Sequence, residues 1–504
     1  MRLFRLLSAT LTLGILLAFI LTTPLLQQAA YGQDVSGMVG TVTDATGAAV
    51  PGVTVTLKNL ATGAKYTETT NATGMYRFSE IPPGQGYEAV FTANGFAPLD
   101  IKNIYLTVAT TRTQNAILAV GAHAETVEVS AANAEVTIDT TDATVGNTFD
   151  VEALNTLPVQ QRNDPTALFT LQPGVTDTGS VTGARVDQNY ITLDGLDVND
   201  LATGGAVQNN SGGGIQSGFG GTIVGHAPID SVEEFHGSVA GLGGSAGAGG
   251  GGQFALVTKS GTNHFHGNLN EYHRDRDLVA NSWFNKDSTP IVPRNNLIQN
   301  QFGGNIGGPI ILPKLFNGRD KLFFFFDYNN SRIASSIDTQ RTVPLDSLRA
   351  GNIGYIDNTS TPDSPSISYL SPAQIAALDP SGVGINSTWS SVYLARFPHS
   401  NNSATGDGIN SGGYTFNAPN NDFATNYVTR VDYNLNDKMK LFARVTISRE
   451  NNVNLPNEFP GDPVTDPFID RSYGFVLGHT WVIGDNITNR IVYGETVEKY
   501  SFPN

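Results

Sequence analysis

Three short stretches of this 504-residue chain carry side chains in patterns that could do chemistry. The first, "GGSAG" at Gly243–Gly247, fits the G-x-S-x-G form of a serine nucleophile elbow. Such an elbow needs a hydrophobic strand before the serine and a helix after it, because the sharp turn between them exposes the hydroxyl. Here glycine flanks both sides, within a glycine-rich run from Gly241 to Gly252, so the match does not point to a hydrolase. The second is Asp194, Asp197 and Asp200 in "DGLDVND". Their spacing is not that of a calcium loop, and Asp-Gly turn chemistry explains them more simply. The third is His264 with His266, which would share one strand face and could pair as metal ligands. No third ligand can be placed beside them, and no metal is assigned. Cysteine is absent, which excludes disulfides and thiolate metal sites together. The expectation is a non-enzyme with no catalytic residues and no cofactor.

The bulk properties narrow the class further. Lysine and arginine total 29 against 45 acidic residues, a formal charge of −16, which argues against a nucleic-acid partner. Charged residues make up 15%, below the quarter or so usual for soluble domains. At the N-terminus, "MRLFRLLSATLTLGILLAFILTTPLLQQAAYGQD" sets Arg2 and Arg5 before an apolar run and small residues. This pattern predicts a secretory signal over residues 1–32, cut after Gly32, with an uncleaved anchor as the alternative. Beyond Leu26 no apolar run reaches eighteen residues. The mature chain is then either soluble outside the cytoplasm or enters a membrane as β-strands.

The elements follow from periodicity. Residues 33–121 alternate as short strands, with Val53, Val55 and Leu57 opposed to Thr54, Thr56 and Lys58. Turn signals recur every dozen residues or so, which predicts a small β-sandwich. From 264 to 504 we expect seven strands, beginning at "HFHGNLNEYHRD", "NQFGGNIGGPI" and "KLFFFFDYNNSR". Tyr427, Val431, Tyr433 and Leu435 oppose Arg430, Asp432 and Asn434, while Leu441, Ala443, Val445 and Ile447 oppose Arg444, Thr446 and Ser448. In "KLFFFFDYNNSR" both faces are aromatic, which suits lipid on one side and a packed domain on the other. Connections alternate long and short: about twenty, roughly ninety and about twenty polar residues against "LPKLFNGRD", "LNDKM" and "GDN". Membrane barrels sort their loops this way, with short turns on the periplasmic side and long loops outside.

Several of these stretches also resemble a known family. "GTVTDATGAAVPGVTV", "TNATGMYRFSEIPPGQGY" and "ANGF" look like the carboxypeptidase regulatory-like domain, a transthyretin-like module with a carbohydrate-binding-like fold. No H-x-x-E or H-E-x-x-H motif accompanies it, so we take it as accessory. "LNTLPVQQRNDPTALFTLQPGV", with Pro158 and Arg162, and "GGQFALVTKSGTNHFHG" resemble the plug and plug-to-barrel junction of Oar-like TonB-dependent outer-membrane receptors. "ETVEVSA" (Glu125, Thr126, Val127, Glu128, Val129, Ser130, Ala131) resembles a TonB box. Such a peptide adds edge-on to a strand of the periplasmic energy-coupling protein.

The resemblance implies a mainly β chain: sandwich at 33–121, TonB-box-like segment at 122–131, α+β plug at 132–263, and an incomplete antiparallel transmembrane barrel at 264–504. It implies residence in the outer membrane of a Gram-negative bacterium, in contact with its lipid, with sandwich and plug on the periplasmic side. Its partners would be a TonB-type coupling protein and an extracellular nutrient such as a glycan, peptide or chelate. About seven of the family's twenty-two strands are accounted for, and "EKYSFPN" lacks a terminal aromatic strand. The expectation is therefore the N-terminal portion of a receptor. The competing class is a cell-surface carbohydrate-binding or adhesin-type sandwich protein, which would need polar outward faces where Tyr427, Val431 and Tyr433 stand.

Overall fold

The computed structural model describes residues 34–121, 127–130, 144–159, 162–199 and 225–503, apart from 177–178, 226, 241–249, 464–465, 485–486 and parts of 282–295 and 358–365. The expected secretory signal and the "GGSAG" run lie outside the described residues. Alternating apolar residues build the first unit from β1 (Ser36–Asp44), β2 (Thr54–Asn59), β3 (Lys65–Thr69), β4 (Met75–Ile81), β5 (Gly84–Thr92), β6 (Leu99–Leu106), β7 (Thr111–Thr113), β8 (Ala116–Leu118) and β9 (Val127–Ser130). One sheet runs β4-β1-β7, with β8 also on β1, and the other β3-β2-β5-β6-β9. Val53, Val55, Leu57, Phe78, Phe91 and Ile101 bury between them. The sandwich expected to end at 121 therefore gains a further strand: β9 lies parallel to β6, with Leu99 opposite Val127 and Lys102 opposite Ser130.

The middle unit contains β10 (Val145–Asp150), β11 (Tyr190–Leu193), β12 (Leu196–Asp197), β13 (Val232–Ala240) and β14 (Gln253–Thr258), ordered β10-β13-β14-β11-β12. A short helix, Val151–Thr156, starts where the Asp150 side chain accepts from the Ala153 amide, the usual service of an aspartate at a helix N-cap. A 3₁₀ turn, Pro165–Leu171, is capped in the same way by Asp164. Both pack on the sheet through a core holding Leu168, Phe169, Phe235 and Phe254. The Phe169 and Phe254 rings stack with centroids 3.8 Å apart.

The third unit is an antiparallel wall. It comprises β15 (His266–Asp275), β16 (Leu297–Pro309), the two-residue pair β17 (Ile311–Leu312) and β18 (Phe316–Asn317), β19 (Leu322–Pro344), the loop hairpin β20 (Ile353–Ile356) and β21 (Ile367–Leu370), β22 (Ser411–Pro419), β23 (Asp422–Asn436), β24 (Met439–Leu455), β25 (Asp466–Asp470), β26 (Tyr473–Gly484), β27 (Ile487–Val497) and β28 (Tyr500–Ser501). The seven expected strands are β15, β16, β19, β23, β24, β26 and β27, each antiparallel to the next. In such a meander alternate connections share one end. The three long ones (276–296, 345–421 and 456–472) therefore gather at one rim and the short turns at the other. β15 and β27 do not pair, so the barrel is open.

The two faces differ as the alternation requires. Leu269, Phe326, Phe423, Leu441, Val445, Ile447 and Leu477 are exposed on one. Phe323, Phe325, Asp327, Val428, Arg444, Thr446 and Ser448 are buried on the other, where the middle unit sits. The four phenylalanines thus divide: Phe323 and Phe325 turn inward, and Phe324 and Phe326 take the outer face. β19 runs to 23 residues, well past Arg332. Along its second half β22 takes the place of β23 as the partner, in the same register.

Candidate functional site

The site is the contact between the middle unit and the wall. It begins with a turn: β11 and β12 are joined by Asp194 and Gly195, both with positive φ (51° and 82°). A two-residue hairpin of this hand needs left-handed backbone at both positions, which Asp-Gly supplies at low cost. The Asp-Gly turn expected of "DGLDVND" therefore forms. It also delivers the Asp194 carboxylate to the wall. Oδ1 accepts from Arg430 Nη1 of β23 at 2.9 Å, and Oδ2 lies 3.0 Å from Arg444 Nε of β24.

Thr258 completes the shell, donating its amide to Oδ1 at 2.9 Å and its hydroxyl to Oδ2 at 2.8 Å. Arg430 is shared with Asp432 and lies over the Phe442 ring, 4.9 Å from its centroid. Arg444 Nη2 donates to the Leu193 carbonyl at 3.2 Å. The Asp194 and Arg444 side chains are each 1% exposed. Charges so deeply buried persist only when paired, so the seat depends on this register between hairpin and wall.

A second clamp lies on the other flank. Arg162 Nη2 donates to Asp230 Oδ1 and to the Leu154 carbonyl, both at 2.9 Å, and its amide donates to Gln301 Oε1 of β16 at 2.9 Å. Tyr272 of β15 donates its hydroxyl to Asp230 at 3.4 Å, and the Arg162 guanidinium sits 4.7 Å from that ring's centroid. Asn305 Nδ2 reaches the Asp230 carbonyl at 3.2 Å. A conformational shift of the middle unit must therefore break polar contacts on at least three wall strands.

The sandwich closes the site from the side of the short turns. Val108 packs with Ala255 and Val257, and its amide donates to Glu234 Oε1 at 3.0 Å. Burial pushes the Glu234 carboxyl up to about 8, against the opposing pull of the Val108 amide and the Tyr105 hydroxyl. Arg490 of β27 pairs with Asp34 and lies 3.6 Å from Glu80. Where the three units meet, a cavity of about 860 Å³ is lined by Glu80, Asp194, Glu233, Lys259, Arg430 and Arg490 among others.

Other residues singled out by sequence fall as follows. Asp197 accepts from the Asn199 amide in a local turn, and Asp200 lies outside the described residues. His266 Nδ1 lies 3.0 Å from the His264 carbonyl oxygen, and no group of three or more possible metal ligands occurs among the described residues. Of the TonB-box-like segment, Val127, Glu128, Val129 and Ser130 form β9, whereas Glu125, Thr126 and Ala131 lie outside the described residues. Sequence reasoning missed the roles of Asp194, Asp230 and Glu234. The available signal was the placement of Arg430 and Arg444 on the inward face, since inward cations require buried anions opposite them.

Comparison with known proteins agrees with this architecture. The family described as "Outer membrane beta barrel domain" matches residues 257–503, and "Carboxypeptidase regulatory-like domain" matches 37–119. The "TonB-dependent transporter Oar" of Myxococcus xanthus is 29% identical over 343 residues, which are 65% of this chain and 29% of that protein. The chain thus spans less than a third of that relative's length. Among solved structures, the outer membrane transporter YddB from Escherichia coli aligns at a TM-score of 0.41 and 13% identity, over 71% of this chain and 39% of that one. The ferric enterobactin receptor of Pseudomonas aeruginosa aligns at 0.38 and 13%, over 71% and 42%. By the two family matches, the chain carries a carboxypeptidase regulatory-like domain ahead of an outer membrane β-barrel domain, and along 65% of its length it is similar to the TonB-dependent transporter Oar.

Proposed function

We propose that the chain supplies the periplasmic domain, the plug and the first strands of an energised importer for a large nutrient (a glycan, peptide or chelate). The observation that carries this reading is the seat of the middle unit on the wall's inner face, built around Asp194 between Arg430 and Arg444. A domain held inside an outer-membrane wall by a few buried ion pairs is stable at rest and can be rearranged by breaking a small number of contacts. The segment Glu125–Ala131 precedes it in the chain and would be the handle for a TonB-type protein of the inner membrane. Substrate would arrive from the rim of long connections. No bond in the substrate changes, so no catalytic group is called for. The exposed Leu269, Phe423, Val445 and Leu477 on the outer face favour lipid contact over an adhesin's solvated surface. The test is fractionation followed by capture. The chain should extract from outer membranes only with detergent and should retain a purified periplasmic TonB-type domain. A chain recovered entirely in the soluble periplasmic fraction would end this proposal.

A further inference from the structure

β6 has a receptive outer edge of restricted length. Pro98 precedes it and has no amide hydrogen to donate. At its other end, the pairing with β5 shifts register between Ala89–Ile101 and Tyr87–Ile104, and Asn103 takes a left-handed φ of 59°. That bulge bends the strand and ends regular pairing. Only Leu99–Lys102 remains straight, and β9 covers those four residues, from Leu99–Val127 to Lys102–Ser130. Successive residues of a strand direct their backbone groups to opposite edges. With β6 on one side, β9 is the last strand of a five-stranded sheet among the described residues, and its other edge faces away from β6.

Resting on the assignment of Glu125–Ala131 as the coupling segment, we infer that the sandwich is part of the coupling interface: β6 holds Val127–Ser130 extended and presents their free edge, to which a strand of the TonB-type protein adds as the sixth of the sheet. A peptide already fixed as a strand loses less freedom on binding than a free one, so presentation raises affinity. Occupation of one edge by β6 leaves the other available, so the contact does not by itself exclude the partner.

The chain contains no native cysteine, so a designed pair gives an unambiguous reading. Asp100→Cys with Glu128→Cys joins residues opposite in register, at the strand spacing of about 4.8 Å that a disulfide can span. Lys102→Cys with Ser130→Cys is a second matched pair in case the first perturbs folding. Asp100→Cys with Ser130→Cys, two residues out of register, is the control. Full-length variants in detergent are oxidised, and binding of a purified periplasmic TonB-type domain is measured before and after reduction. The expected result is cross-linking of matched pairs only, with the oxidised form binding as tightly as the unmodified chain or several-fold tighter. Matched pairs that cross-link no better than the control overturn the inference. Loss of binding on oxidation, restored by reduction, also overturns it and shows that β6 hides the segment. If matched pairs cross-link yet even the unmodified chain fails to bind, the coupling-segment assignment has failed and the interface with it, while the β6–β9 pairing stands.

Discussion

Asp194→Asn is the most informative perturbation of the seat. Asparagine tolerates the left-handed backbone of position 194 as aspartate does, so the hairpin keeps its turn, and its amide oxygen can still accept from Thr258. What disappears is the negative charge between two buried guanidinium groups. Arg430 retains Asp432, 2.9 Å away, but Arg444 is left with the Leu193 carbonyl alone among the contacts described above. Removing one partner of a buried pair costs about 3–5 kcal/mol, because the remaining charge stays desolvated. That corresponds to about two to four decades in the seating equilibrium.

The assay is amide hydrogen exchange on purified protein in detergent, followed at Ile191–Leu193 and Phe254–Thr258. These strands should exchange faster by at least a hundredfold, while the sandwich core around Leu57 and Phe91 is unchanged. Pairing the change with Arg444→Met should recover most of the protection, since an apolar replacement of a buried ion pair is close to neutral. Exchange within tenfold of the parent, or a double variant no better than the single, would refute the account of the seat.

Two further outcomes follow from the same contacts. Glu234 has a folded value of about 8 against 4.5 in the unfolded chain. Its contribution is thus complete below about 4.5 and is lost as pH rises through 8, at up to about 1.4 kcal/mol per unit within that window. Melting scans from pH 5 to 9 should show this decline in the parent, and Glu234→Gln, which keeps an acceptor for Val108, should flatten it; parallel profiles would contradict the assignment. Phe169→Ala removes a ring stacked at 3.8 Å on Phe254 and 5.7 Å from Phe235, and should cost the middle unit about 3–5 kcal/mol in denaturant titration. A loss under about 1 kcal/mol would show that this core does not hold the unit together.

Strand-level architecture was legible in the sequence wherever burial alternates. The wall strands around Arg430 and Arg444 have one apolar and one polar side, and that periodicity survives in the fold. The extension of β19 beyond Arg332 left no such trace. "IASSIDTQRTVP" has no apolar stripe, and its extended form rests on backbone pairing with β22 from within the long connection. The parallel pairing of β7, β8 and β9 was equally unreadable, because a partner distant in sequence leaves no mark on a strand's own alternation. Asp194 shows the same division inside one residue. Its turn was visible from the following glycine, whereas its ion pair with Arg430 spans 236 positions. Glu234 looked like an ordinary strand carboxylate until Val108 was packed over it.

The strand order β10-β13-β14-β11-β12 gives the middle unit a built-in load path. Tension entering from the residues before Val145 reaches β10 first, an edge strand fastened along one side only, to β13. The doubly anchored Asp194 turn belongs to the opposite edge. Peeling from that margin would meet the Arg162–Asp230 clamp first and reach Arg430 and Arg444 last, so a gap can open along one flank while the remainder stays moored and ready to re-zip.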